Sequence, residues 1–288
     1  MPLPIPPYTL IERLLFPPTT INENKLLRCL EGKTVLITGA SSGIGEQLAY
    51  TLADAKAHLI LTARREDKLL AVKREIEKRQ AAQVSVYRAD LREEAEREGL
   101  LEFIRRQPHA IDIVVSNAGH SIQRSIYDSL DRFHDFTRTM AINYFAPVHL
   151  LLSLIPLLER NQGHIVNVST INALMPPFPS WAAYQASKAA FDVWFRSVSP
   201  ELNRRGILTT TFYLPLVRTP MIVPTAEYRR MPAMSPQHVA RLIGRSFYTR
   251  RKAFKPWWRF GFKLASRFVA GAWKHAASQK NSGKREEL

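Results

Sequence analysis

The sequence predicts an α/β fold: one domain on a doubly wound parallel sheet flanked by helices, followed by a C-terminal amphipathic helical tail. Three observations carry this. Short β-branched runs alternate with charged or amphipathic stretches of helical length, the pattern of a parallel sheet with crossover helices. The runs are continuously apolar, as strands buried on both faces are. The first run opens straight into glycines, which permit a tight turn ahead of a helix. At 288 residues, 45% of them hydrophobic, the chain can bury a core of that size.

Residues 1–31 form a Pro-rich lead with one short apolar piece, Leu10 to Phe16. The start, Met1 to Pro7, has no basic region and its prolines prevent an early helix, so no secretory leader is expected. The predicted strands are Thr34–Thr38, His58–Thr62, Val84–Tyr87, Ile111–Val115, His164–Val168 and Ile207–Leu214. Arg65–Arg79 and Glu93–Arg106 are helical stretches between them. Leu150–Leu158 is about half of the roughly 18 apolar residues a spanning helix needs, and reads as a buried helix. The domain boundaries follow: lead 1–31, folded domain 32–248, tail 249–288. A single cysteine, Cys29, excludes an internal disulfide framework and a cysteine-based zinc site, and suits a reducing, cytoplasmic compartment.

The formal charge is +16, and it is unevenly placed. Residues 228–285 hold fifteen basic residues and no Asp or Glu; with Glu286 and Glu287 the segment 228–288 carries +13, leaving +3 for residues 1–227. In residues 257–274, Arg259, Lys263, Arg267 and Lys274 fall along one helical face. Trp257, Trp258, Phe262, Leu264, Phe268, Val269 and Trp273 occupy the wider opposite side. A basic face backed by an aromatic, apolar one describes a helix lying in the interface of an anionic membrane. Residues 256–274 are thus expected to hold the protein peripherally on a membrane. Docking on the core or on a second subunit, as a homo-oligomer, is the alternative; no nucleic-acid partner is expected.

The glycine loop has chemical content. Gly39, Ser41, Ser42, Gly43, Ile44 and Gly45 join the first strand to the next helix. Its glycines admit close approach of a phosphate, and the helix end supplies free N–H groups and a positive dipole. After the second strand stand Arg64 and Arg65, with no acid before Glu66. A carboxylate there would bind the 2′-hydroxyl of NAD, whereas arginine clamps a 2′-phosphate, so the expected cofactor is NADPH (NADP). Tyr184 and Lys188, four apart, share a helix face, and the ammonium together with the cofactor's positive nicotinamide ring is expected to lower the phenol's pKa.

The glycine spacing resembles that of the short-chain dehydrogenase/reductase family. Further matches stand in the family's order: Asp90-Leu91 after the third strand, Asn117-Ala118-Gly119 after the fourth, Asn143 in the following helix, and Tyr184-x-x-x-Lys188. They span roughly residues 32–225. The resemblance implies a Rossmann fold, adenine contact at Asp90 and Leu91, and cofactor contact at Asn117, Ala118, Gly119 and Thr219. It implies Tyr184 as general acid, Lys188 on the nicotinamide ribose and Asn143 ordering a water. Two departures matter. The family's Ser-Ser after the fifth strand is Ser169-Thr170, so strand alignment favours Thr170 as the hydroxyl polarising the carbonyl, while a one-residue adjustment would present Ser169. Leu216 replaces the usual glycine after Pro215. Asp131–Phe136, Arg138–Met140, Asn143–Phe145 and Tyr213–Ile222 are similar to bacterial short-chain-type long-chain fatty acyl-CoA reductases. That implies a lipophilic substrate, acyl-CoA, reduced to a fatty aldehyde. An enzyme acting on a retinoid, sterol or 3-oxo lipid, and a non-enzymatic dinucleotide-binding scaffold, remain the alternatives. Spacing assigns Arg138 and His134 no chemical role.

Overall fold

The structure is a computed structural model and describes residues 8–258, apart from residues 224, 226, 227 and 229. The strands are β1 (Thr34–Thr38), β2 (His58–Ala63), β3 (Gln83–Arg88), β4 (Ile113–Ser116), β5 (His164–Thr170), β6 (Leu208–Leu214) and β7 (Ala253–Phe254). All pair in parallel in the order β3-β2-β1-β4-β5-β6-β7. The chain enters mid-sheet, builds outward through β2 and β3, then crosses to β4 on the other side of β1. That reversal opens a crevice above the strands' C-terminal ends.

Side chains alternate between two cores, which is why the strands read as unbroken apolar runs. Val35, Ile37, Leu59, Leu61, Val166 and Val168 face one core. Leu36, Ile60 and Ile165 face the other. The first core is closed by α2 (Glu23–Leu30), α3 (Gly43–Thr51), α4 (Glu66–Glu77) and α9 (Pro236–Thr249). The second is closed by α5 (Glu94–Arg105), α7 (Ala146–Arg160) and α8 (Ala182–Arg204).

The folded body takes in chain on both sides of residues 32–248. Leu26 and Leu30 of the lead are core residues. Ala253 and Phe254 pair with Thr211 and Phe212 as a seventh strand, which two residues after a basic run do not announce. The fourth strand starts at Ile113 rather than Ile111, because the Asp112 carboxylate accepts from the Thr34 backbone N–H and the Lys33 ammonium, both at 2.9 Å. The interfacial helix expected over residues 256–274 lies, from residue 259 on, outside the described residues.

The expectation of no spanning-length helix needs correction. α6 (Phe133–Met140), a π-helical turn (Ala141–Phe145) and α7 run together as Phe133–Arg160, 28 residues, long and apolar enough to cross a membrane. The unbroken apolar stretch is short, but the helix continues through Thr and Asn residues around it. In the fold Leu150, Leu151, Leu154 and Leu158 of this helix are buried in the second core.

The N-terminal helix α1 (Leu10–Leu15) is inverted relative to ordinary packing. Its buried member is Glu12, which closes a capping box with Thr9. The Glu12 carboxylate accepts from the Arg218 guanidinium and, at 3.0 Å, from the Ala233 N–H. Burial pushes this carboxyl up, but those donors prevail and hold it below the usual range.

Candidate active site

The C-terminal ends of the strands open on one cleft of about 1020 Å³. At its base the loop after β1 turns through Gly39 (φ +69°) and Gly43 (φ +61°), left-handed conformations that glycine adopts without strain. Asn117 braces this loop: its Nδ2 donates to the Thr38 carbonyl at 2.8 Å, and the Thr38 hydroxyl accepts from the N–H groups of Asn117 and Ala118, both at 3.0 Å. A Cβ on Gly45 would stand 2.5 Å from the Gly39 carbonyl oxygen. One on Gly43 would stand 2.9 Å from the Thr219 methyl. Ser42 precedes α3 without capping it by its side chain, so the helix's first N–H groups face the cleft free of a side-chain acceptor. Gly39, Ser41, Ser42, Gly43 and Ile44 line the cleft beside these N–H groups, a lining that fits a dinucleotide phosphate.

Arg64 and Arg65 separate in role. Arg65 donates to the hydroxyls of Ser41 (3.2 Å) and Ser42 (2.9 Å), holding the loop. Arg64 lines the cleft, and no hydrogen bond or ion pair joins it to a described residue. Asp90, expected beside the adenine, is clasped by Arg92 through Nε at 3.0 Å and a terminal nitrogen at 2.6 Å. Burial raises the Asp90 pKa, but the Arg92 bonds outweigh it and keep the carboxyl ionised. Leu91, Ala118, Gly119 and Ile44 line the same cleft.

The predicted reacting residues meet. Lys188 stands one turn below Tyr184 on α8. A Cβ on Gly119 would lie 3.0 Å from Asn143 Oδ1 and 3.2 Å from Lys188 Nζ, so this glycine lets both side chains reach one point. Asn143 is buried; its Nδ2 donates to the His120 carbonyl (2.8 Å) and the Ser187 hydroxyl (2.9 Å), and its Oδ1 accepts from the His120 N–H (2.9 Å). The π-turn holding Asn143 has a sequence cause. Ala146 donates to Ala141, five residues back, and Pro147 has no N–H to offer the Asn143 carbonyl. The signal for it in the sequence is a proline four residues past the asparagine.

Thr170 ends β5 beside Tyr184, whose phenol pKa it lowers. Ser169, also on the cleft, is more deeply buried, and its strand register places it beside Tyr213. Burial pushes the Tyr184 phenol up to about 12, and Thr170 draws it down. Lys188 is lowered by burial to about 8. Without a cofactor's positive ring the low-dielectric pocket disfavours both charged forms. Thr219 closes the cleft over Gly43.

Two further walls line the cleft. One is apolar, formed by Leu15, Phe16, Leu216, Met221, Met231 and Trp258. The other carries Arg124, Arg132 and Arg138. Arg124 and Arg132 share the buried Asp135 at 3.0 and 3.3 Å. Arg138 has no ion pair with a described residue, and together with burial and with Arg64 and Arg92 it holds the His120 pKa down. His134 contacts Asp135 at 3.4 Å instead of the cleft.

The family model for short chain dehydrogenases matches residues 33–229. A fatty acyl-CoA reductase of Acinetobacter baylyi is 44% identical over 226 residues, 76% of each chain. A fatty acyl-CoA reductase of Mycobacterium tuberculosis is 38% identical over 88% of this chain and 83% of its own. A solved short-chain dehydrogenase of Sphingobium yanoikuyae in complex with NADPH superposes with a TM-score of 0.71 at 25% identity, covering 85% of this chain and 95% of that one. A glycine cradle, a Tyr184–Lys188 pair and a parallel sheet in this order, matched along nearly two hundred residues, make the chain an oxidoreductase belonging to the short-chain dehydrogenase family.

Proposed function

We propose that the protein reduces a long-chain fatty acyl-CoA to the fatty aldehyde with NADPH at a membrane surface. The observation that carries this is the cleft floor: the Tyr184 hydroxyl lies against Thr170, with an apolar wall on one side and an arginine wall on the other. An acyl chain suits the first wall and a phosphorylated head the second. The names of the relatives at 44% and 38% identity support the same substrate class.

NADPH, when bound, supplies the hydride. Ser41, Ser42 and the N–H groups opening α3 would hold its pyrophosphate, and Arg64 its 2′-phosphate. Lys188 would hold the nicotinamide ribose, Asn117 to Gly119 the loop beside it and Thr219 the carboxamide. Leu91 and the clasped Asp90 would border the adenine. Thr170 and Tyr184 donate to the thioester oxygen as negative charge builds there. Tyr184 gives up its proton and would be refilled through a water ordered at Asn143. The hemithioacetal then collapses and CoA leaves as the thiolate, which takes up a proton as free thiol.

The deciding experiment follows NADPH oxidation and free thiol together with palmitoyl-CoA, beside a panel of lipid ketones. Equimolar thiol release supports the reading; ketone reduction without thiol release overturns it.

Two substitutions test the assignments. Arg64→Ala is expected to weaken NADPH on the order of tenfold and leave NADH unchanged, since one charge-assisted bond to the phosphate is lost; steady-state KM values for both cofactors check it. Thr170→Val is expected to lower kcat about tenfold or more, through loss of one oxyanion donor. Ser169→Ala is expected to act weakly, and the two kcat values compared at saturating NADPH decide between the hydroxyls.

A further inference from the structure

α1 shows the solvent what helices normally hide. Glu12 is 2% exposed, while Leu10, Ile11 and Leu14 on the other face are 84%, 63% and 68% exposed. Exposed large apolar side chains gathered on one short helix mark a surface with a partner. The orientation is fixed: Thr9 caps the helix, Glu12 is locked to Arg218 and Ala233, and the Trp257 indole N–H donates to the Leu14 carbonyl at 3.3 Å. Rotating the apolar face inward would bury it at the cost of stranding Glu12 and Arg218.

The face continues into neighbouring apolar surface. Trp257 is 61% exposed. Met221, Val223 and Met231, on the loop between β6 and α9, are exposed too. The next residues along both segments, Leu15, Phe16 and Trp258, turn into the cleft and line its apolar wall. The outward patch is therefore the rim of the cleft mouth. Its flanks are basic: Arg13 and Lys255 are exposed, and its one nearby helix acid, Glu12, is buried and paired. The thirty residues after Trp258 leave from the same rim, and they carry seven Lys and Arg against two terminal glutamates.

We propose that the outward face of α1, with Trp257 and the exposed methionines and valine of the adjoining loop, docks on an anionic lipid surface and sets the cleft mouth against it. An apolar patch with a basic border is the chemistry of interfacial binding. Continuity of patch and cleft lets an acyl chain pass from lipid to the site without crossing water. For its occupant the proposal rests on the membrane-surface reading above, and it adds the folded element that makes the contact.

The test uses the full chain. Cys29 is the only cysteine, so Cys29→Ser with Leu14→Cys takes a single environment-sensitive fluorophore at the α1 face. Vesicles of phosphatidylcholine and phosphatidylglycerol, 3:1 in molar terms by design, are expected to shift its emission to the blue, and brominated acyl chains to quench it. A second variant, Leu10→Gln/Ile11→Gln/Leu14→Gln, is expected to partition on the order of tenfold more weakly in flotation. Flotation with an unchanged label and an unweakened triple variant overturns the α1 assignment and leaves the membrane reading standing. A label buried before vesicles are added overturns it in favour of another occupant, the C-terminal segment or a second copy, which sedimentation velocity separates. No flotation of the parent protein overturns both.

Discussion

Tyr184→Phe is expected to slow NADPH-dependent reduction by about 10²- to 10⁴-fold while NADPH still binds. Phenylalanine keeps the ring against Trp181, whose centroid is 5.7 Å away, and removes only the proton donor. Loss of NADPH binding in the variant would mean that the hydroxyl serves the cofactor rather than the carbonyl. The pH dependence separates the two members of the pair. With its pKa raised to about 12, Tyr184 in the free protein keeps its proton through neutral and mildly alkaline pH and imposes no limb there. Lys188 titrates near 8, so the ammonium is present below that pH and lost above it. The kcat/KM for NADPH, which reports the free enzyme, is expected to fall as pH rises through about 8, and Lys188→Arg to remove that fall. The same shift has a stability consequence of opposite sense. Between about 8 and the ordinary lysine value of 10.5 the unfolded chain binds a proton that the folded one does not, so folding stability rises with pH across that window.

Gly45→Ala is expected to damage fold and cofactor binding together. The new methyl would press 2.5 Å from the Gly39 carbonyl and 2.8 Å from Asn117 Nδ2, neither the end of a flexible side chain that can swing away. Overpacking of this kind costs about 1–3 kcal/mol. Because Gly39 and Asn117 shape the phosphate loop, NADPH affinity should drop with it. Gly32→Ala is the control: Gly32, unlike the helical Gly45, has a left-handed backbone, φ +70°, but a Cβ there meets nothing within 4 Å. It should cost about 1–2 kcal/mol of backbone strain and leave NADPH affinity alone. Thermal melts with and without NADPH distinguish the two.

How far the sequence reveals this molecule depends on where each signal comes from. The central strands were legible because burial on both faces forces unbroken apolar runs such as Thr34 to Thr38. The glycines, Tyr184 and Lys188 were legible because backbone sterics and proton transfer each allow few residue types. α1 was not. Leu10 to Phe16 shows only as a short apolar piece, and the distant Arg218 and Ala233 decide that Glu12 turns inward. β7 has two residues and exists because β6 offers an edge, a fact residues 253 and 254 do not carry. Arg138 looked like any basic residue on a helix until the fold set it opposite Arg64 and Arg92. The burial that raises the Tyr184 pKa is hidden for a related reason: charge pairing is visible as spacing, whereas the depth of a pocket is not.

The near-contact of Gly43 with Thr219 joins the glycine loop after β1 to the loop after β6. Two ligands that lean on one joint are not independent. Whatever factor NADPH gains in affinity from a bound acyl group, the acyl group must gain from bound NADPH, since the two routes to the ternary complex share one total free energy. Reciprocity holds for any pair of sites; the joint at Gly43 sets its size, and a side chain there would alter the exchange in both directions by the same amount.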